Sequence, residues 1–220
     1  MDAITLFKPD LTKPSGRLVF GNSGSGKSYF LTEMLHRAFR SKEFGPQHRF
    51  VIIDPKHEMG SIDGPTVHHA ANFPKAFERD RIVYVHPELG EIESMLDMVT
   101  DLSFMAADEL PEFSATIVFD EFSMIATPQK MSESAARLFT QGRSKRIAFV
   151  AVSQRPVIHR ISESQSAYAV LFRGSRVDND RLKEKWGIKP DELDAILRQK
   201  QFSFGVLDLT EDSLTYFAPI

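Results

Sequence analysis

One eight-residue stretch, Gly21-Asn22-Ser23-Gly24-Ser25-Gly26-Lys27-Ser28, constrains this chain more than any other feature. It fits the pattern G-x-x-x-x-G-K-[ST], with an additional glycine at position 24. Before it, Arg17-Leu18-Val19-Phe20 reads as a short strand; after it, Lys27 to Phe39 reads as a helix. Glycines let the backbone curl until successive N–H groups point at a β-phosphate, and the helix start adds its positive end. Lys27 is then expected to bridge the β- and γ-phosphates, with the Ser28 hydroxyl on Mg²⁺. A chance Gly-rich turn would not bring strand, loop, Lys-Ser and helix together in this order. The implied ligands are ATP and Mg²⁺.

The remaining apolar runs fit the same plan. Phe50–Ile53, Arg81–Val85, Thr116–Phe119, Ile147–Val152 and Ala169–Phe172 read as short strands. Helical stretches are expected around Glu91–Ala106 and over Glu133–Gln141. Short apolar strands alternating with helices predict an α/β fold whose mostly parallel sheet is covered by helices on both faces. Towards the end, Asp191–Lys200 reads as a helix, and Phe202–Leu207 with Leu214–Phe217 as an edge hairpin across Thr210–Ser213. Pro111, Pro156 and Pro190 punctuate this plan rather than break it. With 220 residues, no internal repeat and no low-complexity linker, the chain reads as one domain over 1–220. Residues 1–16 and 174–220 are expected to be extensions packed on its core.

Composition removes several function classes. There is no cysteine, hence no thiolate metal site and no thiol nucleophile. No apolar run is long enough to cross a bilayer, and the start lacks a basic leader, so neither direct membrane insertion nor secretion is expected. The 18 Phe suggest a generous core or buried subunit surfaces. Net charge is −3, yet between Arg137 and Arg176 seven Arg and one Lys face a single acid, Glu163. Such a segment suits either phosphates or a solvated subunit surface.

Two further stretches complete the chemistry. Ile117-Val118-Phe119-Asp120-Glu121 is a buried strand ending in two carboxylates, at the edge where open α/β sheets hold their ligands. Asp120 is expected to hold Mg²⁺, and Glu121 to orient and deprotonate the attacking water. Seen alone, the pair would pass for an acidic helix cap. Val150-Ala151-Val152-Ser153-Gln154 carries an amide beyond another strand, where Gln154 could sense the γ-phosphate; a plain turn residue is the competing reading. Charge that builds on the γ-phosphate calls for an arginine from a neighbouring subunit. Arg143 and Arg146 lead as candidates and Arg155 is a third; the sequence does not choose among them.

Read together, these blocks resemble the FtsK/HerA superfamily of ring-forming DNA-pumping ATPases. The likeness runs from residue 17 to about 173. Its specific parts are Ile52-Ile53-Asp54-Pro55-Lys56-His57-Glu58, similar to the family's Asp-Pro-Lys-x-Glu element, and Gln141-Gly142-Arg143 followed by Ser153-Gln154-Arg155-Pro156. The resemblance implies a RecA-like P-loop NTPase core. It also implies that Gln154 is a sensor and Arg143 the trans-acting finger, with Arg146 close enough to compete. Asp54 and Lys56 would organise the active-site edge or a subunit contact, or form only a strand cap with a local salt bridge. Because the phosphate loop starts at residue 21, the compact core looks most like genome-packaging ATPases of internal-membrane-containing icosahedral viruses. The expected partners are double-stranded DNA, further copies in a ring of five or six, and capsid-vertex or virion membrane proteins. The expected location is the host cytoplasm or a virion vertex. A conjugation or export ATPase and an ATP-controlled assembly switch are the alternatives. The basic stretch and the 57–75 and 124–132 loops are candidate DNA contacts.

Overall fold

In the computed structural model, residues 3–59, 62, 64–156, 159–189 and 202–219 are described. The elements in chain order are α1 (Ala3–Phe7), β1 (Gly16–Phe20), α2 (Lys27–Arg40), β2 (His48–Ile53), β3 (Thr66–Val67) and α3 (Phe73–Arg79). They continue with β4 (Ile82–Val85), α4 (Ile92–Glu109), β5 (Ser114–Phe119), α5 (Glu133–Gln141), β6 (Ile147–Ser153) and α6 (Arg160–Ser164). The last are β7 (Ser166–Leu171), α7 (Arg176–Trp186), β8 (Phe204–Asp208) and β9 (Ser213–Phe217).

The strands form one sheet in the order β3-β4-β2-β5-β6-β1-β7-β8-β9. Every pairing from β3 to β7 is parallel; β8 and β9 are antiparallel additions at one edge. β1, β5 and β6 are buried along their whole length apart from Ser114, as parallel strands covered on both faces must be. Alternate residues feed two cores. Leu18, Phe20, Val51, Ile117 and Phe149 pack against α3, α4 and α5 on one face. Val19, Phe50, Ile52, Val118 and Val150 pack against α1 and α2 on the other. The long helix α4 shows why: Ile92, Met95, Leu96, Val99, Phe104 and Ala107 are buried at the three- and four-residue spacing of one helical face.

The expected strands and three of the four expected helices are present, most with shifted ends. The strand read at Ala169–Phe172 starts earlier, at Ser166, and the hairpin strand read from Phe202 starts at Phe204. Phe202 is left out because its φ of +72° is left-handed and cannot continue a strand. The stretch Asp191–Lys200 lies outside the described residues. Five elements were not anticipated: α1, β3, α3, α6 and α7. No helix among the described residues is long and apolar enough to cross a membrane.

One buried polar chain ties the N-terminus to the sheet. The Thr116 hydroxyl donates to the Phe7 carbonyl (2.6 Å), so His48 Nε2–H donates to Thr116 Oγ1 (3.0 Å) and His48 Nδ1 accepts from Ser114 Oγ (2.8 Å). Both ring nitrogens are satisfied without a charge. Burial, with Arg81 and Arg49 nearby, depresses the His48 pKa to about 3.

Candidate nucleotide site

Because β2, β5, β6 and β1 are adjacent and parallel, the turns that follow them meet at one edge of the sheet. The turn after β1 is the phosphate loop. Gly24 (φ +72°) and Gly26 (φ +100°) take left-handed backbone that suits glycine, and a Cβ on Gly26 would lie 2.8 Å from Phe202. Gly26 begins α2 with no side-chain cap, so the first N–H groups of a fourteen-residue helix stay open to a ligand. Lys27 is buried and folds back, its ammonium donating to the carbonyls of Gly21 (2.6 Å) and Asn22 (3.0 Å). Burial lowers its pKa against the pull of Asp120 and Glu121. The Ser25 hydroxyl is buried with no partner among the described residues.

Asp120 and Glu121 leave β5 at the same edge. Asp120 is 6% exposed; burial and then the nearby Asp54 carboxylate push its pKa up to about 6. Glu121 has a left-handed backbone, φ +62°, which costs a non-glycine residue about 1 kcal/mol or more. Its carboxylate accepts three hydrogen bonds: Ser123 Oγ on Oε1 (2.6 Å), and Lys56 Nζ (2.7 Å) and Gln154 Nε2 (3.1 Å) on Oε2. Burial opposes ionisation here, but the Lys56, Ser123 and Gln154 bonds outweigh it and hold the carboxyl below its usual range.

The turn after β2 explains the Asp-Pro-Lys-x-Glu stretch. Asp54 is fully buried; its Oδ2 accepts from the Tyr84 hydroxyl (2.5 Å) and Met59 N–H (2.8 Å), and its Oδ1 from Lys56 N–H (3.2 Å). The chain therefore wraps around the Asp54 carboxylate, which aims the Lys56 side chain at Glu121. Asp54 itself points into this turn rather than into the nucleotide cavity.

These parts enclose a cavity of about 310 Å³ lined by Ser23, Gly24, Gly26, Lys27, Ser28 and Tyr29, and by Glu58, Asp120, Glu121, Gln154 and Phe202. Gly21 and Asn22 close the loop through the Lys27 contacts. The residues fit a nucleotide bound with Mg²⁺. A Ser hydroxyl and a carboxylate are the hard oxygen donors that this cation takes. Asp120 and Glu121 sit on one wall of the cavity with Glu58 nearby, and a divalent cation would offset the cost of burying this negative charge.

The arginine candidates separate. Arg146 donates to the carbonyls of Phe113 (2.7 Å), Ala107 (2.8 Å) and Leu110 (3.3 Å), closing the end of α4. Arg143 is exposed and makes no side-chain hydrogen bond among the described residues. Both precede β6, whose register Gly16↔Phe149 to Phe20↔Ser153 puts its start at the edge away from the phosphate loop. Arg155 follows β6, on the phosphate-loop side. The basic stretch as a whole is divided: Arg137 pairs with Asp101 (2.7 Å) and Lys145 with Asp108, while Arg143, Arg155, Arg160, Arg173 and Arg176 are exposed.

Sequence reading did not find the cap that Ser123 places on Glu121, nor the contributions of Tyr29, Glu58 and Phe202 to the cavity. Ser123 lies two residues from Glu121, within reach of a local argument. Phe202 reaches the loop from 176 positions away and carried no signal.

A parallel sheet with a glycine loop opening its first long helix, and two carboxylates on the neighbouring strand but one, defines the class: an α/β P-loop NTPase fold. No family model matches the sequence, and no curated protein matches it. Among solved structures it is similar to the genome packaging NTPase B204 from Sulfolobus turreted icosahedral virus 2 in complex with ATP-gammaS (TM-score 0.73, 15% identity, 94% of this chain and 98% of that one). It is also similar to VirB4 of Thermoanaerobacter pseudethanolicus (TM-score 0.66, 11% identity, 98% and 95%). A third likeness is to the cytoplasmic domain of the Type VII Secretion ATPase EccC of Thermomonospora curvata (TM-score 0.58, 15% identity, 95% of this chain and 24% of that one). What the three share with this chain is the fold.

Proposed function

We propose that this chain is an FtsK/HerA-type ATPase that uses hydrolysis to move double-stranded DNA, packaging a viral genome into a preformed capsid as a homo-oligomeric ring. The observation that carries the hydrolytic part is the convergence of Lys27, Ser28, Asp120, Glu121 and Gln154 on one cavity. The loop backbone and Lys27 would take the β- and γ-phosphates; Ser28 and Asp120 would hold Mg²⁺, which screens phosphate charge. Glu121 would accept the proton of the attacking water, and Gln154, already within hydrogen-bond distance of Glu121, would fix that water against the γ-phosphate. Arg143 is the finger in this reading. It lies at the edge away from its own loop, and so would complete the site of a neighbour. Residues 1–220 would act as one ATPase domain carrying the 1–16 and 174–220 extensions.

The packaging assignment is supported by a likeness that spans nearly all of both chains in the B204 comparison. The likeness to the Type VII Secretion ATPase EccC favours an export ATPase as the second reading. Steady-state ATP turnover with and without linear double-stranded DNA, with mass measured on the same samples, tests the motor. DNA-stimulated turnover in a ring is expected. A monomer or dimer whose turnover ignores DNA across salt concentrations would overturn it. Co-purification with capsid or virion membrane proteins, rather than an envelope complex, separates packaging from export.

A further inference from the structure

The strongest contact in the site that hydrolysis itself does not require is the ion pair between Lys56 and Glu121, at 2.7 Å, with Glu121 only 10% exposed. A carboxylate offers about four acceptor sites, two on each oxygen, and three of those on Glu121 are taken. Oε2 already takes two donors, Lys56 and Gln154, and Oε1 takes Ser123. Of these donors only Lys56 carries a charge, and a charge-assisted bond is about twice as strong as a neutral one. An attacking water that approaches Oε2 must displace a donor, and one that approaches Oε1 must share it with Ser123.

Lys56 is not held there by chance of rotamer. The turn that carries it is wound on the buried Asp54, pinned by the Tyr84 hydroxyl and by two backbone N–H groups of the turn, and ends at Glu58 on the cavity wall. His57, inside the turn, has a left-handed φ of +58° and stacks flat on His86 at 3.8 Å, so the turn is braced from β4 as well. A segment this firmly built delivers Lys56 to Glu121 as a unit and can withdraw it as a unit.

We propose that Lys56 is a positioning residue that locks Glu121 in a resting pose, and that hydrolysis requires the 54–59 turn to draw it off the carboxylate. The inference rests on the ATPase reading of this site. It adds that DNA-free turnover is low because the lock is closed, and that DNA raises turnover by opening it. Phosphates of the DNA backbone are a chemically suitable competitor for the ammonium, and the Lys56 side chain is 32% exposed.

The test is the kcat and KM for ATP of Lys56→Met, Lys56→Gln and Lys56→Arg, with and without linear double-stranded DNA. Removing the charge should raise DNA-free kcat about tenfold, the size of one charge-assisted hydrogen bond, while KM moves less than twofold and DNA stimulation collapses. Lys56→Arg should restore DNA dependence. The isosteric Lys56→Gln keeps the test alive should the methionine variant fold poorly. A fall in kcat with and without DNA, or a DNA-free kcat unchanged in both neutral variants, would overturn the lock. Wild-type turnover that ignores DNA would sink the DNA-motor reading instead, and a raised DNA-free kcat in the variants would still support the lock.

Discussion

The two arginines before β6 make opposite predictions, and the structure sets the size of one of them. Arg146→Ala removes two good bonds from a guanidinium to carbonyls, at 2.7 and 2.8 Å, and a longer one at 3.3 Å. The guanidinium is half-buried, so each of the two good bonds is taken at the low end for a charged donor, about 1.5 kcal/mol, giving a loss of about 3 kcal/mol. Part of this is the favourable placing of a cation at the C-terminal end of α4. At about 3 °C per kcal/mol for a chain of this size, Tm should fall by roughly 9 °C. Arg146 also has a left-handed φ of +56°. Glycine accepts that backbone freely where alanine does not, so Arg146→Gly should be about 1 kcal/mol more stable than Arg146→Ala. Below the transition both variants should retain turnover per folded molecule. Arg143→Ala should do the reverse: unchanged melting, with kcat reduced by about a thousandfold or more, as expected when a finger is lost. Thermal melts and steady-state turnover on the same preparations decide it. If Arg146→Ala melts with the wild type yet loses turnover, while Arg143→Ala keeps it, the assignment of both residues is refuted.

Three further outcomes follow from the site and the core. Glu121→Gln should reduce kcat by about two to four orders of magnitude while ATP still binds, because the amide cannot take the water's proton; equilibrium binding beside single-turnover rates would show it. Gly26→Ala should weaken ATP binding severely. The new methyl would lie 2.8 Å from Phe202 and sit on a φ of +100°, and Phe202→Ala in the same chain should recover only the steric part. The stability that His48 contributes should decline as pH drops below about 6.5. The unfolded chain takes up a proton on His48 near its ordinary value, whereas the folded chain resists until about 3, so unfolding gains from each step down between the two. His48→Gln should flatten this slope in denaturant titrations across that range.

What could be read from the sequence was whatever depends on a few consecutive residues. The strands β1, β2, β5 and β6 are continuous apolar runs because they are buried on both faces, and the phosphate loop, Asp120-Glu121 and Gln154 each sit immediately after one. Helix α7 was not recognised because it buries little, Leu182 being its one well-buried apolar side chain. Its start was nonetheless written locally, in Ser175 capping the N–H of Asp178. The strand β3 spans only two residues and carries no period at all. Asp54 and Lys56 were recognisable as a pair of interest, but their division of labour was not. That one carboxylate winds the turn and the lysine crosses to Glu121 depends on β2 lying beside β5, a neighbour relation that no local pattern encodes.

The ladder joining β2, β5, β6 and β1 has a mechanical consequence. Four parallel strands about 4.8 Å apart set the feet of the catalytic turns across roughly 14 Å, and sliding any one strand would break all its registered bonds together. The sheet is therefore the stiff member of the molecule, and its compliance is concentrated in the short segments rooted along that edge. Strain generated when a ligand enters cannot dissipate by shearing the sheet. It must bend those segments or turn the whole body against whatever it touches, so a small local displacement is transmitted over the full width of the chain.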